Sequence, residues 1–364
     1  MSKFLSGKLY VLLIVLALFL GSCGDDEPTT GNEVGLEGFF IVNEGGFGNG
    51  NTSISFFDRE AETASNNLFS TANGIPLGDQ AQSMTLHDDK GFIVVQNSGK
   101  IEVVDEDEFT IISTITEGII SPRYFVGHSA IKGYVSDWGV DGVSGTVKVI
   151  DLRTYEVTKT IDTGQGTNEL IIQGDNLYAV NSGGFGRADE LVIIDTQTDE
   201  ISNTITITDN PNSLRIDNEG NIWIATSGHT AFDPDTFEVI ETESTTGAIV
   251  KVSQSGQVLQ TLSVDEVGFS KSPGRLNINN AGDQVYYSYS GAIYSMSINA
   301  TELPAAPFIN KSFYGFSVDP TDNTIIGCVA PDFSSSGDIE IYSEAGSLLT
   351  TYTVGIGPNG CTFK

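Results

Sequence analysis

The sequence has few basic residues, and this scarcity limits the partners that the protein can have. It is 364 residues long, with 17 Lys and Arg against 48 Asp and Glu and a formal net charge of −31. A nucleic-acid partner requires a basic surface that neutralises phosphates, which this composition does not supply. The same negative field disfavours polyanionic glycans and phosphate-rich ligands. We therefore expect neither a nucleic-acid-binding protein nor a receptor for polyanions.

Histidine and cysteine, which often carry metal and nucleophilic chemistry, are also scarce, with three of each. His87, His128 and His229 lack metal-ligand spacing, and the sequence contains no HExxH, CxxC or Gly-Lys-Ser/Thr motif. Residues 127–131 approach a nucleophile elbow but have Ile131 where the second glycine is required. These absences predict a protein without enzymatic activity, cofactor or metal ion.

A long apolar run is missing as well, because the run Tyr10–Leu20 is far below the roughly 20 residues that span a bilayer. Two lysines precede this run, as in a secretory signal, and Leu20-Gly21-Ser22-Cys23 resembles a bacterial lipobox. We predict a signal peptide over residues 1–22 and lipidation of Cys23. An ordinary signal peptide that happens to contain a cysteine is the alternative.

The segment after Cys23 has the composition of a linker, since residues 23–36 are acidic or rich in Pro, Thr, Gly and Asn. The cluster Gly24–Glu27 resembles the export tag of surface lipoproteins in one phylum of Gram-negative bacteria. This resemblance implies an outer-membrane lipoprotein exposed at the cell surface. A spacer that faces the periplasm is the alternative.

What the sequence does contain is a period. FIVNEGGFG at 40–48 and YAVNSGGFG at 178–186 are nearly the same nine residues, and weaker copies of the apolar start occur between and after them. Seven copies begin at Phe40, Phe92, Tyr134, Tyr178, Trp223, Tyr286 and Ile326. A further apolar strand follows each copy, a third, Thr-rich strand comes next in several of the copies, and a fourth short strand precedes the next copy. Four short strands in each 40–50 residues indicate the blades of a propeller.

The two ends of the sequence predict how the ring closes. FFIVN near residue 40 corresponds to the second strand of a blade, and NGCTF at 359–363 corresponds to a first strand. Pairing these two segments would complete one blade and remove exposed strand edges. We predict an all-β, seven-bladed propeller over residues 37–364, monomeric, and closed by its C-terminal strand. A pair of β-sandwiches would explain neither the period nor the split blade.

The candidate site follows from this arrangement, because the long Gly-rich connections after the repeated segments all belong to one face. Loops on a rigid scaffold are common binding sites, and exposed aromatic residues are common contact anchors. Near the axis on this face, the first strands begin with polar residues. The predicted ligand-binding residues are Phe47, Gln82, Arg123, Trp138, Asn168, Phe185, Asn212, Phe232, Arg275, Tyr314, Phe333 and Asn359.

Several alternatives stay open at this stage. The aromatic residues could instead pack over neighbouring blades. Arg123 and Arg275 could clamp a carboxylate, phosphate or amide-rich ligand, or they could neutralise acidic neighbours such as Glu169. Aspartates 137, 141, 233 and 235 could hold a calcium ion, although they lack the spacing of a dedicated loop. Cys328 and Cys361 read as small buried residues that could form a disulfide across the closure seam.

The repeat over Tyr178–Ile207 resembles the YVTN propeller repeat of YncE-like proteins. FFIVNEGGFGNGNTSISFFD and LGDQAQSMTLHDDKGFIVVQNSGKIEVVD resemble segments of a family of YncE-like surface lipoproteins. One branch of similar propellers binds cobalamin and delivers it to a TonB-dependent transporter. The resemblance therefore implies capture of cobalamin for such a transporter, and capture of another corrinoid, a glycan or a peptide fits equally well. An adhesion or scaffold propeller is the second hypothesis, and a lactonase-like hydrolase is the third.

Overall fold

The repeated apolar segments are the second strands of seven antiparallel sheets in the computed structural model, which describes residues 37–364. Blade 1 combines the last strand with the first three. The strands of blades 1–3 are β1 (Gly38–Asn43), β2 (Ser53–Asp58), β3 (Thr63–Ser65), β4 (Ala81–Leu86), β5 (Lys90–Val95), β6 (Lys100–Asp105), β7 (Ile111–Ile115), β8 (Pro122–Ser129), β9 (Lys132–Asp137), β10 (Ser144–Asp151) and β11 (Glu156–Gln165).

Blades 4–7 use the remaining strands, the last of which returns to blade 1. They are β12 (Thr167–Gln173), β13 (Asn176–Asn181), β14 (Glu190–Asp195), β15 (Glu200–Thr206), β16 (Pro211–Ile216), β17 (Ile222–Thr226), β18 (Ala248–Val252), β19 (Val258–Ser263), β20 (Gly274–Ile278), β21 (Gln284–Tyr289), β22 (Ala292–Ser297), β23 (Gly315–Val318), β24 (Ile325–Val329), β25 (Ser336–Tyr342), β26 (Leu348–Ile356) and β27 (Pro358–Phe363). The prediction of a seven-bladed propeller is confirmed.

Burial explains why the four strand positions differ in composition. The second strands are packed on both faces by neighbouring blades, so β1 and β13 are apolar almost throughout and nearly every residue is buried. Fourth strands such as β15 lie at the outer edge and expose most of their residues, which accounts for their threonines.

The hydrophobic core consists of seven clusters, one between each pair of adjacent blades. Phe40 packs with residues of blade 2, Tyr178 with residues of blade 5, and Trp223 with residues of blade 6. All three rings are fully buried. Each blade is therefore stabilised by its two neighbours, and the first strands are held around the central axis.

Ring closure occurs as predicted. Strand β27 pairs antiparallel with β1, placing Phe363 opposite Phe39 and Cys361 opposite Ile41. Cys328 on β24 lies in the same cluster, between blades 7 and 1. The pairing supplies blade 1 with its innermost strand, so the seam has the same core packing as the other blade junctions.

Two features differ from a regular repeat of four-stranded blades. Blade 6 has three strands, and its fourth position is replaced by a single bridge between Ile293 and Ile309. Pro304 and Pro307 precede Ile309, and proline cannot donate to a ladder, which accounts for the interruption. An unpredicted helix, α1 (Leu68–Asn73), follows blade 1 and buries Leu68 and Phe69 against the first cluster.

Short 3-10 turns occur at Glu241–Glu243 and Phe269–Lys271. In the part of the chain that the structure describes, no helix is long and apolar enough to cross a membrane. The predictions for the signal peptide, Cys23 and the linker concern residues 1–36 and lie outside the described residues.

Candidate functional site

The long connections lie together on one face of the propeller, which we call the loop face. They are the links between second and third strands in blades 1, 3, 4, 5 and 7, over residues 44–52, 138–143, 182–189, 227–247 and 330–335. Second strands all run in the same direction relative to the axis, so these links emerge at the same end. Neighbouring loops touch, since the Gly48 amide donates to Asp79 at 2.9 Å and Arg187 pairs with Asp209 at 2.7 Å.

The two GGFG loops dock in the same way on the preceding blade. In blade 1 the amides of residues 44 and 45 donate to the carbonyls of residues 357 and 356 at 2.8 and 2.9 Å. In blade 4 those of residues 182 and 183 donate to the carbonyls of residues 166 and 165 at 2.9 and 3.0 Å. Gly45 and Gly183 have φ values of 78° and 84°, which favour glycine. The repeated motif is therefore a docking loop that presents Phe47 and Phe185, which are 73% and 82% exposed.

The axis opens on the loop face into a cavity of about 370 Å³, which we call the mouth pocket. Four residues of its lining, Gln82, Arg123, Arg275 and Asn359, also line an axial channel of about 650 Å³ that the first strands surround. Eight of the twelve predicted ligand-binding residues line the mouth pocket. Its lining is Glu44, Phe47, Gln80, Gln82, Gln96, Arg123, Trp138, Phe185, Arg275, Tyr314 and Asn359.

Arg123 lies against Trp138, with its guanidinium carbon 4.0 Å from the centre of the indole ring. Its Nε donates to the Asn168 side-chain oxygen at 3.2 Å, and one terminal nitrogen donates to Gln96. Burial lowers the pKa of Arg123, and the nearby Arg275 charge lowers it further. Arginine nevertheless stays protonated in proteins, so this geometry holds a fixed positive charge at the mouth.

A second group surrounds Arg275, whose guanidinium carbon lies 5.6 Å from the Tyr314 ring centre. The Tyr314 hydroxyl donates to one Glu44 oxygen, and Gln80 donates to the other at 3.3 Å. Burial and the adjacent Glu44 charge raise the pKa of Tyr314, so the phenol stays protonated as a donor. Arg275 has a φ of 51°, an uncommon conformation for a residue other than glycine.

The axial asparagines mainly join blades. Asn168 donates to the Asn212 carbonyl at 2.9 Å, Asn212 to the Pro273 carbonyl at 2.9 Å, and Asn359 to the Ala81 carbonyl at 3.4 Å. Asn168 and Asn212 line the axial channel and not the mouth pocket. In this structure their side chains join adjacent first strands, and their part in ligand binding stays a prediction.

Of the other predicted residues, Gln82 lines the mouth pocket and two phenylalanines do not. Gln82 lies in the mouth pocket and donates to the Tyr124 hydroxyl at 3.2 Å. Phe333 lies outside the lining and packs edge-on against Tyr314, with ring centres 5.2 Å apart. Phe232 also lies outside it, in the 227–247 loop, where its backbone bridges to Val239. Neither Phe232 nor Phe333 therefore forms a wall of the mouth pocket.

Sequence reasoning missed Glu44, Gln80 and Gln96, although two of them carry a readable signal. Glu44 and Gln96 occupy the fifth position of their repeated segments, FIVNE and FIVVQ, and Trp138 occupies the same position in YVSDW. This position directly follows the second strand, and in blades 1, 2 and 3 the residue at this position lines the same cavity. Gln80 lies just before β4 and carries no such pattern.

Glu169, the example of an acidic neighbour that Arg123 and Arg275 could neutralise, has a different arginine as its partner. Glu169 pairs with Arg215 at 2.7 Å and also accepts the Leu214 amide at 2.8 Å. The Glu169 charge is thus satisfied within the channel wall, and the two axial arginines are left for other partners.

A family profile described as "Domain of unknown function (DUF5074)" matches residues 37–352. The chain belongs to the DUF5074 family. No curated protein matches it. The finer resemblance of this DUF5074 chain to YVTN repeats and YncE-like lipoproteins stays a prediction.

Solved structures share the fold of this DUF5074 protein at low identity. One is a quinonprotein alcohol dehydrogenase-like protein from Bacteroides thetaiotaomicron, at 16% identity and a TM-score of 0.63 over 90% of this chain and 78% of that chain. Another is a Bacteroides fragilis protein provisionally named 6-phosphogluconolactonase, at 13% identity and a TM-score of 0.63 over 90% and 98%. A protein from Bacteroides uniformis with the same provisional name has the same identity and TM-score, with 90% and 100% coverage. These likenesses show the fold alone.

Few groups suited to acid–base or metal chemistry lie at the axis of this DUF5074 propeller. None of the three histidines lines the mouth pocket or the channel, and within residues 37–364 no cluster of three or more His, Cys, Asp and Glu could hold a metal ion. Glu44 is the one carboxylate in the mouth-pocket lining, and hydrogen bonds occupy both of its oxygens.

Three of the four aspartates considered for calcium accept hydrogen bonds from the backbone amides of loops. Asp137 accepts three backbone amides, Asp141 accepts two amides and the Ser144 hydroxyl, and Asp233 accepts two amides. These hydrogen bonds, led by those from Ser144, lower the pKa of Asp141 to about 2. Both oxygens of Asp137 and Asp141 and one oxygen of Asp233 thus accept hydrogen bonds from loop residues, as is typical of aspartate in loops.

Cys328 and Cys361 are both free thiols in this structure. Cys328 is fully buried and Cys361 is partly buried against the same cluster. Burial raises the pKa of Cys361 well above its usual value, and hydrogen bonding with Cys328 adds to the shift. The expectation that they pack as small apolar residues at the seam holds for Cys328 in full and for Cys361 in part.

Proposed function

We propose that this protein is a non-enzymatic surface lipoprotein of the outer membrane that captures a small ligand in the mouth pocket. In this proposal it is a monomeric propeller that passes the ligand to a TonB-dependent transporter. The observation that carries the proposal is the convergence of charged or aromatic residues from blades 1, 3, 4, 6 and 7, together with glutamines of blade 2, on one cavity at the axis. A cavity with a few polar groups and aromatic walls, presented by loops on a rigid scaffold, is the usual form of a small-molecule site.

The membrane part of the proposal rests on residues 1–36. The apolar run Tyr10–Leu20, the lipobox-like Leu20–Cys23 and the acidic linker together support a lipid anchor that leaves the propeller free of the membrane. The test compares wild type with Cys23→Ala in cell fractionation and in protease digestion of intact cells. Wild type should fractionate with the outer membrane and be digested from outside, whereas the variant should be released. Equal fractionation of both proteins contradicts the anchor.

Ligand capture is tested by the shift in thermal unfolding with cyanocobalamin, cobinamide and a set of neutral oligosaccharides. A bound ligand raises the midpoint by mass action. Trp138→Ala should abolish the shift, because the indole forms a wall of the pocket. Arg153→Met is the matched control, since Arg153 lies in the turn after β10 on the opposite face and pairs with Asp151. A shift that survives Trp138→Ala contradicts the mouth pocket as the site.

A specific observation supports the adhesion or scaffold alternative. Phe47, Phe185 and Val140 are 73%, 82% and 91% exposed on the loop face, and exposed aromatic residues are frequent anchors of protein interfaces. A protein partner that binds wild type but not Phe47→Ala, in a protein that binds no compound of the panel, would favour this function over capture.

The hydrolase alternative is supported by the provisional names of the two lactonase-like neighbours. Glu44 would have to act as a base, yet Tyr314 and Gln80 already donate to its oxygens. Hydrolysis of 6-phosphogluconolactone by wild type and its loss in Glu44→Gln would replace our proposal with this one.

A further inference from the structure

The two arginines of the mouth pocket differ from every other arginine in the chain. The sequence has six arginines, and four of them form ion pairs: Arg59 with Asp319, Arg153 with Asp151, Arg187 with Asp209, and Arg215 with Glu169. Among residues 37–364, neither Arg123 nor Arg275 has a carboxylate partner of this kind. Unpaired guanidinium groups are unexpected in a protein with a net charge of −31, where carboxylates are plentiful.

The groups that do contact these arginines leave the positive charge uncompensated. Arg123 donates to the amide oxygens of Asn168 and Gln96, which are neutral, and one face of its guanidinium is covered by an indole. Arg275 makes one long hydrogen bond, of 3.4 Å, to the carbonyl of Asn359. A guanidinium group has five N–H donors, so most donors of Arg275 are free to meet a ligand.

The charge of the lining sets how many anionic groups the pocket can take. Arg123 and Arg275 contribute two positive charges and Glu44 contributes one negative charge, which leaves one net positive charge. The net charge of the whole chain repels a highly charged anion before it reaches the pocket. One negative charge on the ligand satisfies both conditions.

The shape of the ligand follows from the aromatic residues beside the arginines. Trp138 meets Phe185 edge-on with ring centres 5.9 Å apart, and Phe47 lines the same cavity. The Trp138 Nε1 is buried and has no hydrogen-bond partner among the described residues. The cavity volume of about 370 Å³ lies near the lower end of the range for small-molecule sites.

We propose that the mouth pocket recognises a flat ring that carries a single oxyanion, a carboxylate or a phosphodiester, with the oxyanion on Arg123 and Arg275 and the ring against Trp138 and Phe185. The planar fork of arginine matches the two oxygens of such a group. This inference rests on the proposed capture function and narrows its ligand class.

Isothermal titration calorimetry with matched probes tests the inference on the full chain. 2-Naphthoate supplies a ring with a carboxylate, diphenyl phosphate supplies rings with a phosphodiester, and 2-naphthamide is the uncharged counterpart of the first. We expect at least one anionic probe to bind at least about tenfold more tightly than the amide, the equivalent of one charge-assisted hydrogen bond. The stronger of the two anionic probes identifies which oxyanion the pocket prefers.

Variants then assign the effect to the pocket. Arg275→Met should weaken binding of the anionic probe at least about tenfold, while Arg275→Lys should lose less, because it keeps the charge but not the fork. Arg153→Met, which removes an arginine on the opposite face, should bind like wild type. Fluorescence gives a second readout, since Trp138 and the fully buried Trp223 are the two tryptophans, and quenching by the probe should vanish in Trp138→Phe.

Three results overturn the inference and leave the capture function open. The first is equal affinity for 2-naphthoate, diphenyl phosphate and 2-naphthamide. This comparison uses the wild-type protein, so it does not depend on the folding of a variant. The second is undiminished binding of the anionic probe to Arg275→Met. In the third, a neutral compound of the thermal-shift panel binds through Trp138 while both anionic probes fail, and the capture function then stands without this ligand class. If no compound of either set binds, the capture function fails as well.

Discussion

Asp137 should hold the Trp138 wall of the mouth pocket in place, and its removal should have a graded cost. It ends strand β9 and is fully buried. One carboxylate oxygen accepts the amides of Ser121 at 3.1 Å and Gly139 at 2.7 Å, and the other accepts the amide of Ile120 at 2.8 Å. A single side chain thus joins the loop before β8 to the loop that begins with Trp138.

The expected magnitude follows from the number of amides that lose an acceptor. A buried donor left unsatisfied costs about 1–3 kcal/mol, and we take the lower limit because these loops are partly exposed to water. Asp137→Ala leaves three amides without an acceptor and should lower the free energy of unfolding by about 3 kcal/mol. Asp137→Asn can keep the oxygen that accepts the amides of Ser121 and Gly139. Only the Ile120 amide then loses its acceptor, so this variant should cost about 1 kcal/mol.

Equilibrium unfolding in urea measures both values, with the transition slope checked for constancy. The matched control is Asp141→Ala, because Asp141 accepts the same kind of loop amides but is exposed to water, and it should lower the unfolding midpoint less than Asp137→Ala does. Equal losses for Asp137→Ala and Asp137→Asn would refute the assignment of bonds to the two oxygens. A wild-type midpoint for Asp137→Ala would refute the role of burial.

Three further outcomes concern other parts of the propeller. Burial raises the pKa of Asp217, but hydrogen bonds to its carboxylate outweigh this effect and leave the pKa below its unfolded value of 3.8. The ionised Asp217 therefore stabilises the fold fully above pH 3.8, and this stabilisation is lost as the pH falls through the folded pKa. Asp217→Asn should reduce the pH dependence of the free energy of unfolding in this acidic range. Cys361 has a raised pKa, so iodoacetamide at pH 8 should label it only after unfolding. Gly166→Ala should cost more than about 2 kcal/mol of unfolding free energy, because φ is 62° and the new Cβ would lie 1.8 Å from the Gly184 amide nitrogen.

Each of these outcomes has a control or a contrary result. An unchanged acid transition in Asp217→Asn would mean that the carboxylate contributes no pH-dependent stability. Rapid labelling of Cys361 in the native protein, followed by mass spectrometry, would contradict its burial at the seam. Gly174→Ala is the control for Gly166→Ala, since it has a similar φ of 59° but no atom within 4 Å of the new Cβ, and it should cost about 1 kcal/mol. Equal costs at the two glycines would exclude the steric explanation.

The candidate site was partly readable from the sequence. Arg123, Arg275 and Trp138 were recognisable because first-strand starts and post-strand loops recur at fixed register, and the register places them at the axis on one face. The hydrogen bonds of Asn168 and Asn212 to neighbouring blades were not readable, because an amide that binds a ligand and an amide that bonds a neighbouring carbonyl look the same in a sequence. Glu44 was missed because its role depends on Tyr314, 270 residues away along the chain.

The sequence by itself determined the number of blades, the strand that closes the ring and the face on which the long loops lie. These properties follow from local periodicity: each blade repeats the same alternation of buried and exposed strands, and neighbouring repeats must cover one another's apolar faces. Only the tertiary structure decided which polar side chains join blades and which stay free at the axis. That division depends on distances between residues of different blades, and here it leaves Arg123 and Arg275 as the two arginines without a carboxylate partner among the described residues.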